Sequence, residues 1–280
     1  MVQFRFQQVD VFTAQPLQGN PLAVVIGADH LPEEKMAELA RWTGLSETTF
    51  LLKPTVTGAD YRVRIFTRRR ELPFAGHPTL GSCHAWLAAG GQPGGNTIFQ
   101  QCGVGLVPVR RDGRRLAFAA PPRRRSGPVE AKMLEQIARS LQIRPEAIQA
   151  SQWADNGSGW AAVMLASRRE VLALQPDYLA MKGMKVGVVA PWDPDLDGSE
   201  AQFELRAFAA GEGVPEDPVT GSLNAGVAQW LIGAGLAPAS YVASQGTVLG
   251  RTGRIHIEKI DDDIWVGGDV VTCIDGSLLL

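Results

Sequence analysis

Two stretches, Gly76-His77-Pro78-Thr79-Leu80-Gly81-Ser82 and Glu216-Asp217-Pro218-Val219-Thr220-Gly221-Ser222, decide how this chain is read. Each sets a polar residue directly before a proline and closes on Gly-Ser. His77 and Asp217 stand 140 residues apart, half of the 280-residue chain, so both halves carry one device at comparable places, which points to a duplicated domain. Proline at the first helical position has no hydrogen bond to lose. The spacing therefore predicts a helix from Pro78, with His77 as its cap and an end near Gly90-Gly91, and a second helix from Pro218 behind Asp217. Small residues at these starts, Gly81-Ser82 and Gly221-Ser222, let a ligand approach the backbone, and the N–H groups exposed there favour anions. If the two lobes face one another across an approximate two-fold, both helix starts address one cleft and can hold a carboxylate or an enolate-like oxygen. Asp-Pro is also a common pure cap, and His77 can be one too. The duplication is what makes them, with Gly221 and Ser222, candidates for a site.

Outward from these segments the pattern alternates between strand and helix. Phe4, Phe6, Val9 and Val11 are set among polar residues, Leu22 to Ile26 is a short apolar run closed by Gly27, and Tyr61, Val63 and Ile65 alternate with Arg62 and Arg64. From Pro32 to Gly44 the spacing becomes helical, with Glu33 and Glu34 early and Met36, Leu39 and Ala40 on one side; a strand from Thr48 to Leu52 follows. Leu134, Ile137, Ala138 and Leu141 recur at helical spacing, marking an amphipathic helix packed on a sheet. Further strands are predicted over 160–165, 185–190, 203–208, 255–257 and 264–266. Between the halves, Pro121-Pro122-Arg123-Arg124-Arg125-Ser126-Gly127-Pro128 suits neither helix nor sheet interior. We place the boundary there: an N-terminal lobe over 1–120, a linker over 121–128 and a C-terminal lobe over 129–280. The triple arginine reads as a solvated charge run.

Bulk properties narrow the function. With 45% hydrophobic and 20% charged residues, the composition is that of a globular protein with a sizeable core. A net charge of -2 gives no field that gathers nucleic acid or anionic lipid. Cys83, Cys102 and Cys273 form no C-x-x-C pair and stand with no histidines at zinc spacing, so neither a disulfide framework nor a structural metal is indicated, and a reducing cytoplasm is expected. No secretory leader and no run of eighteen apolar residues is read, so no membrane association is expected.

The chain resembles the PhzF phenazine biosynthesis-like proteins. The likeness is carried by Asp10-Val11-Phe12-Thr13, Gly19-Asn20-Pro21-Leu22-Ala23-Val24-Val25, Leu45-Ser46-Glu47-Thr48-Thr49-Phe50, Glu71-Leu72-Pro73-Phe74-Ala75-Gly76-His77-Pro78-Thr79 and the segment from Glu216 to Ser222. It implies an α/β (α+β) protein with the diaminopimelate epimerase-like fold, in which two pseudo-symmetric lobes each wrap a curved, mostly antiparallel sheet around a central helix. It also implies a homodimer and a cofactor-independent isomerase acting on a small-molecule substrate, in the defined family member a dihydro-hydroxyanthranilate. By the same resemblance Glu47 is the general acid/base. His77 and Asp217 share its catalytic pocket, and Ser46, Gly76, Gly221 and Ser222 contact substrate. From spacing alone Glu47 is only a carboxylate at the mouth of a strand. A carboxyl partly shielded from water can both take and return a proton near neutrality, which suits the implied role. The chain departs from the family at Arg68 and Ala210, where proline is usual, and both bear on the substrate more than on the fold. A non-catalytic protein of the same fold that holds a metabolite is the alternative, and a thiol enzyme built on Cys83 is a third reading.

Overall fold

The computed structural model describes residues 1–181 and 183–280, and the chain divides into two compact units. Met1–Ala119 and Gly267–Leu280 form unit 1; Ala120–Val266 form unit 2.

Unit 1 runs β1 (Gln3–Val11), β2 (Asn20–Ile26), α1 (Glu33–Thr43), β3 (Glu47–Leu52), β4 (Tyr61–Thr67), β5 (Glu71–Leu72), α2 (Gly76–Ala88), β6 (Thr97–Cys102), β7 (Gly105–Asp112) and β8 (Arg115–Ala119). Its alternating residues form the expected strands, β1 antiparallel to β2 and β3 antiparallel to β4. The crossover through α1 makes β2 and β3 parallel, and the one through α2 makes β4 and β6 parallel. α1 buries Met36, Leu39 and Ala40 against Phe4, Val25, Phe50 and Phe66 and stops at Gly44, whose φ of 71° only glycine adopts freely.

Unit 2 repeats this order. After α3 (Ala131–Leu141) come β9 (Ala150–Trp153), β10 (Trp160–Met164), α4 (Arg168–Ala173), α5 (Tyr178–Met181), β11 (Lys185–Pro191) and α6 (Pro194–Asp197). Then follow β12 (Phe203–Ala209), β13 (Val214–Asp217), α7 (Gly221–Gly233), β14 (Ser240–Gln245), β15 (Gly253–Ile260) and β16 (Asp263–Gly268). β10 and β11 are parallel, as are β12 and β14, matching β2 with β3 and β4 with β6. α3 packs its apolar stripe, Ile137 and Leu141, on Trp153, Val163, Val186 and Phe208. The last strand, β17 (Val270–Leu279), pairs antiparallel with β1 from Gln3↔Leu279 to Val11↔Val270, so Gly267–Leu280 belong to unit 1 and the second lobe does not run to residue 280. Residues 121–128 are not a bare linker. Arg124 N–H donates to the Asp155 carbonyl, the Gly127 carbonyl accepts from Trp153 N–H, and the segment lies within unit 2.

α2 and α7 are the central helices. Neither carries a Lys, Arg, Asp or Glu, and both are buried for most of their length, the condition of a helix with sheet on several sides. Small residues allow this. A methyl on Gly81 would stand 2.6 Å from Leu22 Cδ2, and one on Gly226 2.3 Å from the Ala154 carbonyl oxygen.

Both helix starts differ from the expectation. α2 begins at Gly76, with Ala75 in the cap position, so His77 is the second helical residue and Pro78 the third. The first-turn N–H groups have no intrahelical acceptor in any case, so proline is tolerated there, and the first helical bond runs from Thr79 N–H to the Ala75 carbonyl at 3.1 Å. α7 begins at Gly221 with Thr220 as cap, and Asp217 is the last residue of β13 rather than a helix cap. Val219 is buried against Gly253, and Gln245 binds the N–H of Thr220, whose extended backbone (φ -110°, ψ 99°) holds the helix start back to Gly221. The repeat in space is therefore offset by 145 residues: Gly76 answers to Gly221, Gly81 to Gly226, and the ends of β5 and β13, Leu72 and Asp217, to one another. His77 answers to Ser222, and its likeness to Asp217 is local sequence alone.

Among the described residues no helix is long and apolar enough to cross a membrane.

Candidate active site

In unit 1 three elements deliver polar groups to one place. The turn from β1 to β2 is fixed by Gly19 N–H donating to the buried Asp10 carboxylate at 2.9 Å; a side chain at Gly19 would strike the Val11 carbonyl oxygen at 2.1 Å. That turn sets Asn20 as the first residue of β2, fully buried. Glu47 is the first residue of β3, paired with Thr67, and its side chain is 16% exposed. His77 projects from the first turn of α2 and is 5% exposed.

His77 joins the other two. Its Nε2 lies 3.4 Å from Glu47 Oε2, and its Nδ1 lies 3.4 Å from Asn20 Nδ2. An amide NH2 can only donate, so Nδ1 is the acceptor and the ring proton sits on Nε2, facing the Glu47 carboxylate. Burial pushes the His77 pKa down from 6.5 to about 3, so the ring is neutral at pH 7. The pair is thus a carboxyl beside a neutral N–H donor. Ser46 precedes Glu47 and is half-buried, and Gly76, buried, opens α2 beside His77.

In unit 2 Asp217 and the start of α7 form a second polar group. Thr220 Oγ1 donates to Asp217 Oδ2 at 2.5 Å. Gln245, fully buried, accepts on Oε1 from Thr220 N–H at 3.0 Å and from Asn224 Nδ2 at 2.9 Å. Its Nε2 donates to the Asp217 carbonyl and to Thr220 Oγ1, both at 3.0 Å. Gly221 is buried, and half-buried Ser222 is held by Trp160 Nε1 on its Oγ at 3.0 Å and by Asn156 Nδ2 on its carbonyl at 2.8 Å.

Of the residues singled out in the sequence, Glu47 and His77 meet, while Asp217, Gly221 and Ser222 lie along one turn of unit 2. Sequence reasoning gave no role to Asn20, Thr220, Asn156, Trp160, Gln100 or Gln245. The two glutamines had a signal, since they stand 145 residues apart at inward positions of apolar strands, the same offset as the helix starts. Cys83 offers no thiolate: burial pushes its pKa up to about 12, against the thiol-enzyme reading.

Residues 9–276 match the family model described as phenazine biosynthesis-like protein. The chain is 34% identical to antisense-enhancing sequence 1 of Schizosaccharomyces pombe, over 99% of each chain. It is 32% identical to trans-2,3-dihydro-3-hydroxyanthranilate isomerase of Pseudomonas aeruginosa, over 90% of this chain and 89% of that one. The fold is shared with a PhzF-family phenazine biosynthesis protein of Enterococcus faecalis, with a TM-score of 0.83 at 24% identity over the whole of both chains. With its sequence matched to the family from the first strand to the last, this chain belongs to the phenazine biosynthesis-like family and is an enzyme of the isomerase class.

Proposed function

We propose that the enzyme moves a proton between two carbons of a small carboxylated or hydroxylated metabolite, without a cofactor, and that Glu47 is its acid/base. The observation that carries this reading is the contact of Glu47 with His77: a carboxyl partly withdrawn from water, 3.4 Å from an imidazole too deeply buried to compete for the proton. The ionised Glu47 removes a proton from one carbon, the bonding electrons pass into the substrate's unsaturated system, and the same carboxyl returns the proton at another carbon. His77 Nε2 lies 3.4 Å from Glu47 Oε2 without hydrogen-bond geometry in this structure, and we propose that the neutral ring orients Glu47 once substrate closes that contact. Asp217, with Ser46, Gly76, Gly221 and Ser222, is proposed to contact the substrate's polar groups. The Pseudomonas aeruginosa relative acts on trans-2,3-dihydro-3-hydroxyanthranilate by its name, which makes cyclic amino and hydroxy acids the first compounds to try.

The test is proton exchange in D2O, following carbon-bound deuterium by NMR across such a panel. Wild type is expected to exchange at least one compound, and Glu47→Gln to lose the rate about 10^3-fold, within the usual contribution of a general acid/base. Exchange retained in Glu47→Gln would remove Glu47 from its role. Tight binding of a compound that neither protein exchanges would turn the reading into a metabolite-binding protein.

A further inference from the structure

Each unit fastens its central helix with a buried glutamine. In unit 1 Gln100 Nε2 donates to Thr79 Oγ1 at 3.0 Å, and Thr79 Oγ1 donates back to the Ala75 carbonyl at 2.9 Å. In unit 2, 145 residues on, Gln245 Oε1 accepts from Asn224 Nδ2, which also donates to the Thr220 carbonyl at 2.9 Å. The fourth helical residue thus ties the cap carbonyl to the glutamine in both. Besides that fourth residue, Thr79 or Asn224, what differs is the cap and the residue three before it: Ala75 and Leu72 in unit 1, Thr220 and Asp217 in unit 2.

Unit 2 therefore carries a hydroxyl and a carboxylate that the corresponding scaffold of unit 1 does without. Thr220 is the cap of α7, where a threonine ordinarily accepts from a helix N–H, yet its side chain makes no such bond. Its oxygen accepts from Gln245 Nε2 instead, and its one proton goes to Asp217 Oδ2 at 2.5 Å, the length of a charge-assisted bond. Gln245 holds both the backbone carbonyl of Asp217 and the hydroxyl that grips its carboxylate.

We propose that Gln245 and Thr220 are positioning residues of the reaction, a relay that holds the Asp217 carboxylate in one orientation toward substrate. This rests on the proposed role of Asp217. The experiment compares Thr220→Val, which keeps the shape, and Thr220→Ser, which keeps the hydroxyl, with wild type. Two readouts are taken: exchange kinetics on the compound that wild type turns over, and the titration of Asp217 followed through its carboxyl 13C signal, which needs no substrate. Thr220→Val is expected to lower kcat about tenfold or more with KM changed less than about threefold, and to move the Asp217 midpoint up by about one pH unit as it loses its donor. Thr220→Ser is expected to restore both. An unchanged Asp217 titration in Thr220→Val overturns the relay whether or not turnover is seen. A shifted titration with full kcat retained shows a bond without a part in the reaction and overturns the positioning role. A wild type that exchanges no compound is a failure of the proposed function, distinguishable because the titration still reports on the bond.

Discussion

Unit 1 and unit 2 clasp the hairpin ahead of their central helices in the same way and at very different depth. In unit 1 Arg64 donates through Nε and Nη2 to both oxygens of Glu71, with its guanidinium 5.1 Å from the Phe66 ring, and the two side chains are 18% and 37% exposed. In unit 2 Arg206 holds both oxygens of Glu216, 5.0 Å from the Phe208 ring, at 3% and 5% exposure. Arg206 further donates to the Val171 and Leu174 carbonyls, where Arg64 reaches only a second, exposed carboxylate, Glu33. Glu216 is followed directly by Asp217, whereas Glu71 is followed by Leu72. The duplicated clasp is sealed from water in the unit where Asp217 follows its glutamate, and left wet where Leu72 does.

The sharpest way to break this comparison is to cut both clasps. Arg206→Met leaves Glu216 buried without its counter-charge and is expected to cost about 3–5 kcal/mol, while Arg64→Met costs about 1 kcal/mol because water replaces the lost partner. Urea titration of both variants measures the gap, and equal losses would show that the two clasps are energetically alike. A smaller contrast lies at the helices. Gly226→Ala drives a methyl into the backbone oxygen of Ala154 and is expected to cost about 3 kcal/mol; Gly81→Ala meets the movable ends of Leu22, Val9 and Val11 and costs about 1 kcal/mol. Thermal unfolding with the order reversed would contradict that packing.

The mildest test uses pH. His77 has a folded pKa of about 3 against 6.5 in the unfolded chain, so the unfolded state takes up the proton first as pH falls. Its contribution is fully present above pH 6.5 and is lost progressively towards pH 3, amounting to about 2 kcal/mol by pH 5. Ser222, its counterpart in unit 2, does not titrate. His77→Gln should flatten the stability profile between pH 7 and 5, and an unchanged profile would place the sensitivity elsewhere.

Strands and amphipathic helices were legible because their periodicity is local. β4 alternates, α1 and α3 carry apolar stripes, and Gly44 ends α1 where the sequence says it must. The duplication was legible too, but in the wrong register. Proline and Gly-Ser suggested an offset of 140, whereas the true offset of 145 is set by where β5 and β13 end, and that depends on strands paired across long loops. The closing partnership of β17 with β1 has no local signature at all. Glu47 was visible only through family likeness, since a carboxylate at the start of a strand looks like any surface glutamate. Asn20 was hidden because a buried amide declares its partners only when distant elements meet around it, and the 145-residue spacing of Gln100 and Gln245 gains meaning only once the strand ends fix that offset.

The return of β17 also has a consequence for biosynthesis. Unit 2 is one continuous stretch, Ala120–Val266, and is synthesised before β17, so while it is being made β1 has β2 on one side but not yet β17 on the other. β1 therefore waits, one edge open, until β17 is synthesised. Vectorial synthesis reverses the order of completion, and the interval in which β1 can pair with a wrong chain lasts for most of translation.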